Sequence, residues 1–109
     1  RLGSEIRELL DRGERKRTRH LDVFFAASPV SRSRLGLIVP KHRHSIVERN
    51  LVKRRLREIG RRRAMLALRE AGRPSDVLLR ARRRAYEADY AVLEAEVMSA
   101  VEAWCSGVC

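Results

Sequence analysis

Apolar positions along the chain change period several times, and each change predicts an element. Ile6, Leu9 and Leu10 recur at helical spacing, with Ser4 as a cap and Gly13 as a stop, which predicts a short helix over 5–12. Residues 14–19, ERKRTR, have no apolar period and read as a polar connection, either solvated or in contact with phosphate. Leu21, Val23, Phe25 and Ala27 alternate and predict a strand, with Asp22, Phe24 and Ala26 on its other face. Phe24 is thereby either a stacking platform for an unpaired base or a residue covered by the first helix. After a turn at 28–33 the run RLGLIV, 34–39, predicts a buried, central strand. Gly36 marks a close backbone approach there, and Pro40 ends the ladder.

Ser45 with Glu48 forms a capping box, which opens a long amphipathic helix over 45–63. Val47, Leu51, Val52, Leu56, Ile59 and Leu66 are assigned to its core side, interrupted by Glu48, Arg55 and Arg62. Gly60 costs about 1 kcal/mol inside a helix, so a kink or break is expected there, with helix resuming to Ala71. GRPS at 72–75 is a turn, and 76–81 is a further strand. Asp89 or a neighbour opens a last helix to Trp104, whose stripe of Tyr90, Leu93, Val97, Val101 and Trp104 packs on the sheet. The pattern is that of a single α/β domain.

Charge changes this picture. The 109 residues carry 25 Lys and Arg against 14 Asp and Glu, a net charge of +11, which points to a polyanionic partner. The excess is concentrated in residues 41–63, whereas residues 85–109 hold acids and no Lys or Arg. On the 45–63 helix, Arg49, Asn50, Lys53, Arg54, Arg57 and Arg61 fall in one arc free of carboxylates. Like charges at i,i+4 cost a few tenths of a kcal/mol per pair, a repulsion that bound phosphate removes. Lys41 and Arg43 lead into this helix, and Arg82–Arg84 form a second basic cluster. His42 and His44 lack the Cys or Asp neighbours of a metal site and read as further groups for phosphate.

No catalytic constellation is present. Gly-rich phosphate loops, H-E-x-x-H, nucleophile elbows and clustered carboxylates are missing. No apolar run approaches the roughly 20 residues of a membrane span, and no secretory signal is visible. Cys105 and Cys109 make too few ligands for structural zinc and are expected in a frayed tail, 105–109, of a cytoplasmic protein. An α/β platform with a basic helix suits single-stranded or shape-read RNA better than duplex DNA.

The segment RLGLIVPKHRHSIVERNLVKRRLRE, 34–58, resembles the signature of the bacterial ribonuclease P protein subunit. Its marks are a Leu-Gly-Leu strand followed by Arg49, Asn50, Lys53, Arg54, Arg57 and Glu58 on a long helix. Ala81, Arg82 and Ala85 match the family's Ala-Arg-x-x-Ala. The resemblance covers about residues 1–104, taken as one RNA-binding domain. It implies an α+β sandwich like the second domain of ribosomal protein S5, in the order α-β-β-(β)-α-β-α, with a left-handed βαβ crossover. It also implies a non-catalytic subunit of an endonuclease whose active site and Mg2+ lie in a partner RNA, with no metal held stably by the protein.

The partners so implied are ribonuclease P RNA and the 5′ leader of precursor tRNA, with no membrane and no obligate protein partner. The implied RNA-binding set is Lys41, Arg43, Arg49, Asn50, Lys53, Arg54, Arg57, Arg61 and Arg82. The implied leader cleft is Ile6, Leu10, Phe24, Asn50, Lys53 and Arg57. This chain departs from the family at Leu51, where Arg is frequent, at Ile6 and Leu10, where aromatics are frequent, and in His42–Arg43–His44 before the helix. Competing assignments are a ribosomal-RNA-binding protein of similar fold and a chromosome-compacting protein.

Overall fold

A computed structural model describes residues 2–106. The elements are α1 (Leu2–Arg12), β1 (Glu14–Arg17), β2 (Leu21–Ala27), β3 (Arg34–Ile38) and α2 (Ile46–Ile59). A π-helical turn (Gly60–Ala64), α3 (Met65–Glu70), β4 (Ser75–Ala81), a 3-10 turn (Arg83–Glu87) and α4 (Tyr90–Cys105) follow. One mixed sheet runs β1-β2-β4-β3. Its first two pairings are antiparallel, and β3–β4 is parallel across the α2–α3 crossover.

The alternation of β2 and β4 divides the molecule. Leu21, Val23 and Phe25 face the main core with Val77, Leu79 and Ala81, where Leu93, Val97 and Val101 of α4 and Val52, Leu56 and Ile59 of α2 close over them. Phe24 and its cross-strand partner Leu78 lie on the opposite face. There α1, which packs on β2 and β4, covers part of the sheet. The stripe expected of α4 is present, and Asp89 caps it by accepting from the Val92 N–H at 3.0 Å.

Several expectations are corrected by tertiary context. Ser4 is inside α1 and not at its cap, because the helix begins at Leu2. The expected polar connection at 14–19 contains β1, paired Glu14↔Phe25 through Arg17↔Asp22. Backbone pairing needs no apolar side chain, and charges suit an exposed edge. The 34–38 run is the opposite edge and not the centre of the sheet; β4 is central. Its apolarity reflects cover from α2, which packs on β3, and from the π turn that follows, where a Cβ on Gly60 would stand 2.5 Å from Leu35 Cδ2.

Val47, Leu51 and Leu66 are not core residues: their exposures are 77%, 38% and 48%. Only the narrow stripe Val52, Leu56 and Ile59 of α2 is buried. Leu66 is turned out by the π turn, which closes with Met65 N–H donating to Gly60 O. That turn, whose own Ala64 is buried, adds one residue and rotates everything after it by about 100°, bringing Leu68 inward instead. Cys105, expected in a frayed tail, belongs to the last turn of α4 and is half-buried. Cys109 lies outside the described residues.

A polar latch ties the β1–β2 turn to α4. Glu96 accepts from Thr18 Oγ1 at 2.6 Å and from the His20 N–H at 3.1 Å, and its second oxygen meets His20 Nδ1. Burial pushes the Glu96 carboxyl up, but the hydrogen bonds from Thr18 and His20 outweigh it and hold the group below its ordinary value of 4.5. A lowered folded-state pKa contributes stability that is complete above the ordinary value and is lost as pH falls through the folded one. Chemical denaturation should therefore show wild-type stability declining below about pH 4.5, and Glu96→Gln should decline less steeply. Parallel acid limbs would remove the latch from this account.

Candidate nucleic-acid interface

The start of α2 is built by its own sequence. Ser45 Oγ accepts the Glu48 N–H at 3.1 Å, while Glu48 Oε1 accepts the Ser45 N–H at 2.8 Å. That backbone hydrogen bond, with His44 adding to it, holds the Glu48 carboxyl below the usual range. The preceding loop is strained: His42 and Arg43 have φ of 48° and 71°. Two successive non-glycine residues in that region cost on the order of 1–3 kcal/mol each.

Packing holds the loop there. The His44 ring stacks on Tyr86 at 3.8 Å with 4° between planes, and the His42 ring meets Tyr86 edge-on. Tyr86 donates its hydroxyl to Pro40 O at 2.6 Å, and burial pushes that hydroxyl's pKa up. Lys41 and Arg43 are left exposed beside the helix start.

The cations of α2 and the π turn divide into two groups. On one side each has an internal partner. Arg55 donates to Ala88 O at 3.0 Å, Arg62 pairs with Glu58 at 3.3 Å, and Arg63 pairs with Glu94 at 2.8 Å. The side chains of Lys53, Arg54, Arg57 and Arg61 have no hydrogen bond or ion pair to any described residue. Asn50 is exposed among them. The expected arc is therefore a contiguous face of unneutralised charge, except for Arg49, whose Nε donates to Val39 O at 2.6 Å and straps the strained loop.

Beside this face lies a cleft of about 410 Å³, walled by Ile6 and Leu9 of α1, by β3 with Asp76–Leu78 of β4, and by Lys53 and Arg57 of α2. Its floor carries a bidentate pair, Arg34 Nε to Asp76 Oδ1 at 2.8 Å and Nη2 to Oδ2 at 2.7 Å. Of the residues assigned to a leader cleft, Ile6, Lys53 and Arg57 line it. Leu9 stands where Leu10 was expected, and Asn50 lies on the helix outside the lining.

Phe24 is only 3% exposed. Helix α1 covers its face of the sheet, and the Arg80 guanidinium lies 5.1 Å from its ring centre, so it offers no free platform. Arg82 is likewise no free phosphate contact. Its Nη1 donates to Thr18 O at 2.7 Å and Arg19 O at 3.3 Å, clamping the β1–β2 turn. Arg34 and Asp76 were missed as site residues; strand alternation puts Arg34 and Gly36 on one face but does not say which strand adjoins. No group of three His, Cys, Asp or Glu among the described residues is placed to hold a metal.

Comparison with known proteins bears on the family and the fold. The family model described as Ribonuclease P matches residues 1–104. A ribonuclease P protein component from Syntrophobacter fumaroxidans (strain DSM 10017 / MPOB) is 41% identical over 58 residues, covering 53% of this chain and 49% of that protein. The match thus spans about half the length of that curated relative. The RNase P protein from Thermotoga maritima superposes with a TM-score of 0.76 at 22% identity, covering 93% of this chain and 92% of that one. The Staphylococcus aureus RNase P protein does so with 0.71 at 20% identity, covering 90% and 85%. At those identities the likeness shows the fold: an α+β domain on a mixed four-stranded sheet.

Proposed function

The chain belongs to the ribonuclease P protein family, and from that premise we propose that it is the RNA-binding subunit of a ribonucleoprotein endonuclease that removes the 5′ leader from precursor tRNA. The observation that carries this reading is the placement of Lys53 and Arg57. Both stand without internal partners on the motif helix, and both line a cleft. A cation can hold phosphate along a groove whatever the base sequence, which suits leaders that differ from one tRNA to the next. Asn50, Arg54 and Arg61, with Lys41 and Arg43 of the strained loop, face outward toward the catalytic RNA.

The protein's part is electrostatic positioning. It neutralises repulsion between RNA segments and orients the leader, and so favours metal binding at a site made by the RNA. The catalytic metal belongs to the RNA in this reading, and no chemical step is assigned to the protein's own residues. No described helix is long and apolar enough to cross a membrane, and a cytoplasmic setting with the tRNA precursors fits the reading.

Purified protein is expected to show no nuclease activity and to lower the magnesium concentration at which its RNA subunit cleaves precursor tRNA. Cleavage by the protein alone, or an unchanged magnesium requirement, would sink the proposal. Sequencing of co-purified nucleic acid tells it from its competitors. One structured non-coding RNA with precursor tRNAs supports it, whereas ribosomal RNA or DNA points elsewhere.

A further inference from the structure

A second cavity of about 410 Å³ opens at the other end of the α2–α3 crossover. Arg32, Arg69 and Arg73 line it with the hydroxyl-bearing Ser31 and Ser33, over an apolar floor that includes Leu68. No carboxylate lines it. Arg32 and Arg69 are exposed and pair with no described carboxylate.

Arg73 is held in a defined pose. Gly72, at φ 66°, ends α3 in a left-handed residue, with Gly72 N–H donating to Arg69 O and Arg73 N–H to Leu68 O, both at 3.0 Å. The Arg73 guanidinium carbon then lies over the Trp104 ring, 4.1 Å from its centre. Trp104 is fixed in turn by stacking on Phe25 at 5.2 Å and by donating to Ser75 Oγ at 2.8 Å. Arg73 thus lines the cavity while its guanidinium carbon sits over the indole.

The cavity adjoins the cleft. Ser33 and Pro74 line the cavity, whereas Arg34 and Asp76, one and two residues further along, line the cleft. Ser75 N–H donates to Ser33 Oγ at 2.9 Å and joins the two walls. Arg32 and Arg73 of the cavity are thus within a few residues of the Arg34–Asp76 pair of the cleft on the same two chain segments.

We propose that this cavity is a second nucleotide site for the same single-stranded RNA, with Arg32 and Arg69 on a phosphate and one base stacked on the Arg73–Trp104 pair. Guanidinium planes stack on bases as aromatic rings do, and a site of a few hundred Å³ is the size of a small-ligand pocket. The assignment supplies the stacking group that the cleft lacks, since Phe24 is buried. It rests on the leader-binding reading above and extends the RNA track past the cleft.

The test uses the complex with its RNA subunit and precursor tRNAs carrying leaders of graded length. Trp104 is the single tryptophan of the chain, so its fluorescence reports this site directly. Long leaders should change that fluorescence, and leaders too short to leave the cleft should not. Arg32→Gln and Arg69→Gln, both at exposed positions, should each lower long-leader affinity about fivefold, with the salt slope reduced by about 0.7, and leave short-leader affinity unchanged.

Arg73→Lys keeps the charge without the plane and should lose the Trp104 response. Unchanged long-leader affinity in the Gln variants together with a silent Trp104 overturns the second site. So does weakened binding to the RNA subunit irrespective of leader length. If Lys53→Ala with Arg57→Ala also leaves every leader length unaffected, the leader-cleft reading itself falls, a result separable from failure of the cavity alone.

Discussion

Replacing Lys53 and Arg57 together by alanine is expected to weaken leader binding by roughly tenfold to a hundredfold at low salt and to flatten the salt dependence by about 1.4, or 0.7 per single-strand phosphate. Both side chains line the cleft, and neither has a partner among the described residues, so their charge is available to a ligand. For the same reason the double variant should keep its fold, with stability within about 0.5 kcal/mol of wild type. Arg55→Ala is the matched control. It removes one cation of the same helix, but one whose Nη1 donates to Ala88 O at 3.0 Å. That variant should lose about 1 kcal/mol of stability and little of the salt slope. Equal slopes in the double variant and wild type would mean that the cleft face does not meet RNA.

Gly13→Ala is expected to destabilise the protein by about 1–3 kcal/mol and to weaken leader binding with it. The sequence suggests Gly13 as an ordinary helix stop, the kind that uses a left-handed backbone. Gly72 is the only described glycine with positive φ, so Gly13 has a different reason. A Cβ there would stand 2.5 Å from Leu9 O, 2.8 Å from Leu9 Cδ1 and 3.1 Å from Phe25 O. Two of those neighbours are backbone and cannot turn aside, so α1 must move relative to β2.

Ile6 and Leu9 of α1 form one wall of the cleft, so the same displacement changes the site. Thermal denaturation should show a drop of roughly 4–8 °C per kcal/mol. A variant of native stability would mean that α1 is free to shift and that its wall of the cleft is not rigidly placed.

How far the sequence alone reaches depends on the range of the interactions involved. The capping box of Ser45 and Glu48, the unbroken basic arc of Lys53, Arg54 and Arg57, the strand at Leu21–Ala27 and the stripe of α4 were all legible. Each is written in residues within a turn or two of one another, where spacing dictates which backbone groups are satisfied and which side chains share a face. The family signature is of the same kind, a strand and a helix read at fixed offsets.

The tertiary structure decided what depends on partners distant in sequence. β1 carries no apolar period and exists only because β2 offers its edge. The 34–38 run looks central by its composition but is an edge, since periodicity cannot rank strands. One residue added at the π turn rotates Leu66 out of the core. Arg49 and Arg82 look like free cations until the carbonyls of Val39, Thr18 and Arg19 are found beside them. Phe24 is lost as a platform because α1 folds over it, and the cleft gains Arg34 and Asp76, 42 positions apart. Local spacing determined which charges this protein carries on its helix. Long-range packing, which alone sets what lies against each face, decided which of them remain unneutralised and which of them line a cleft.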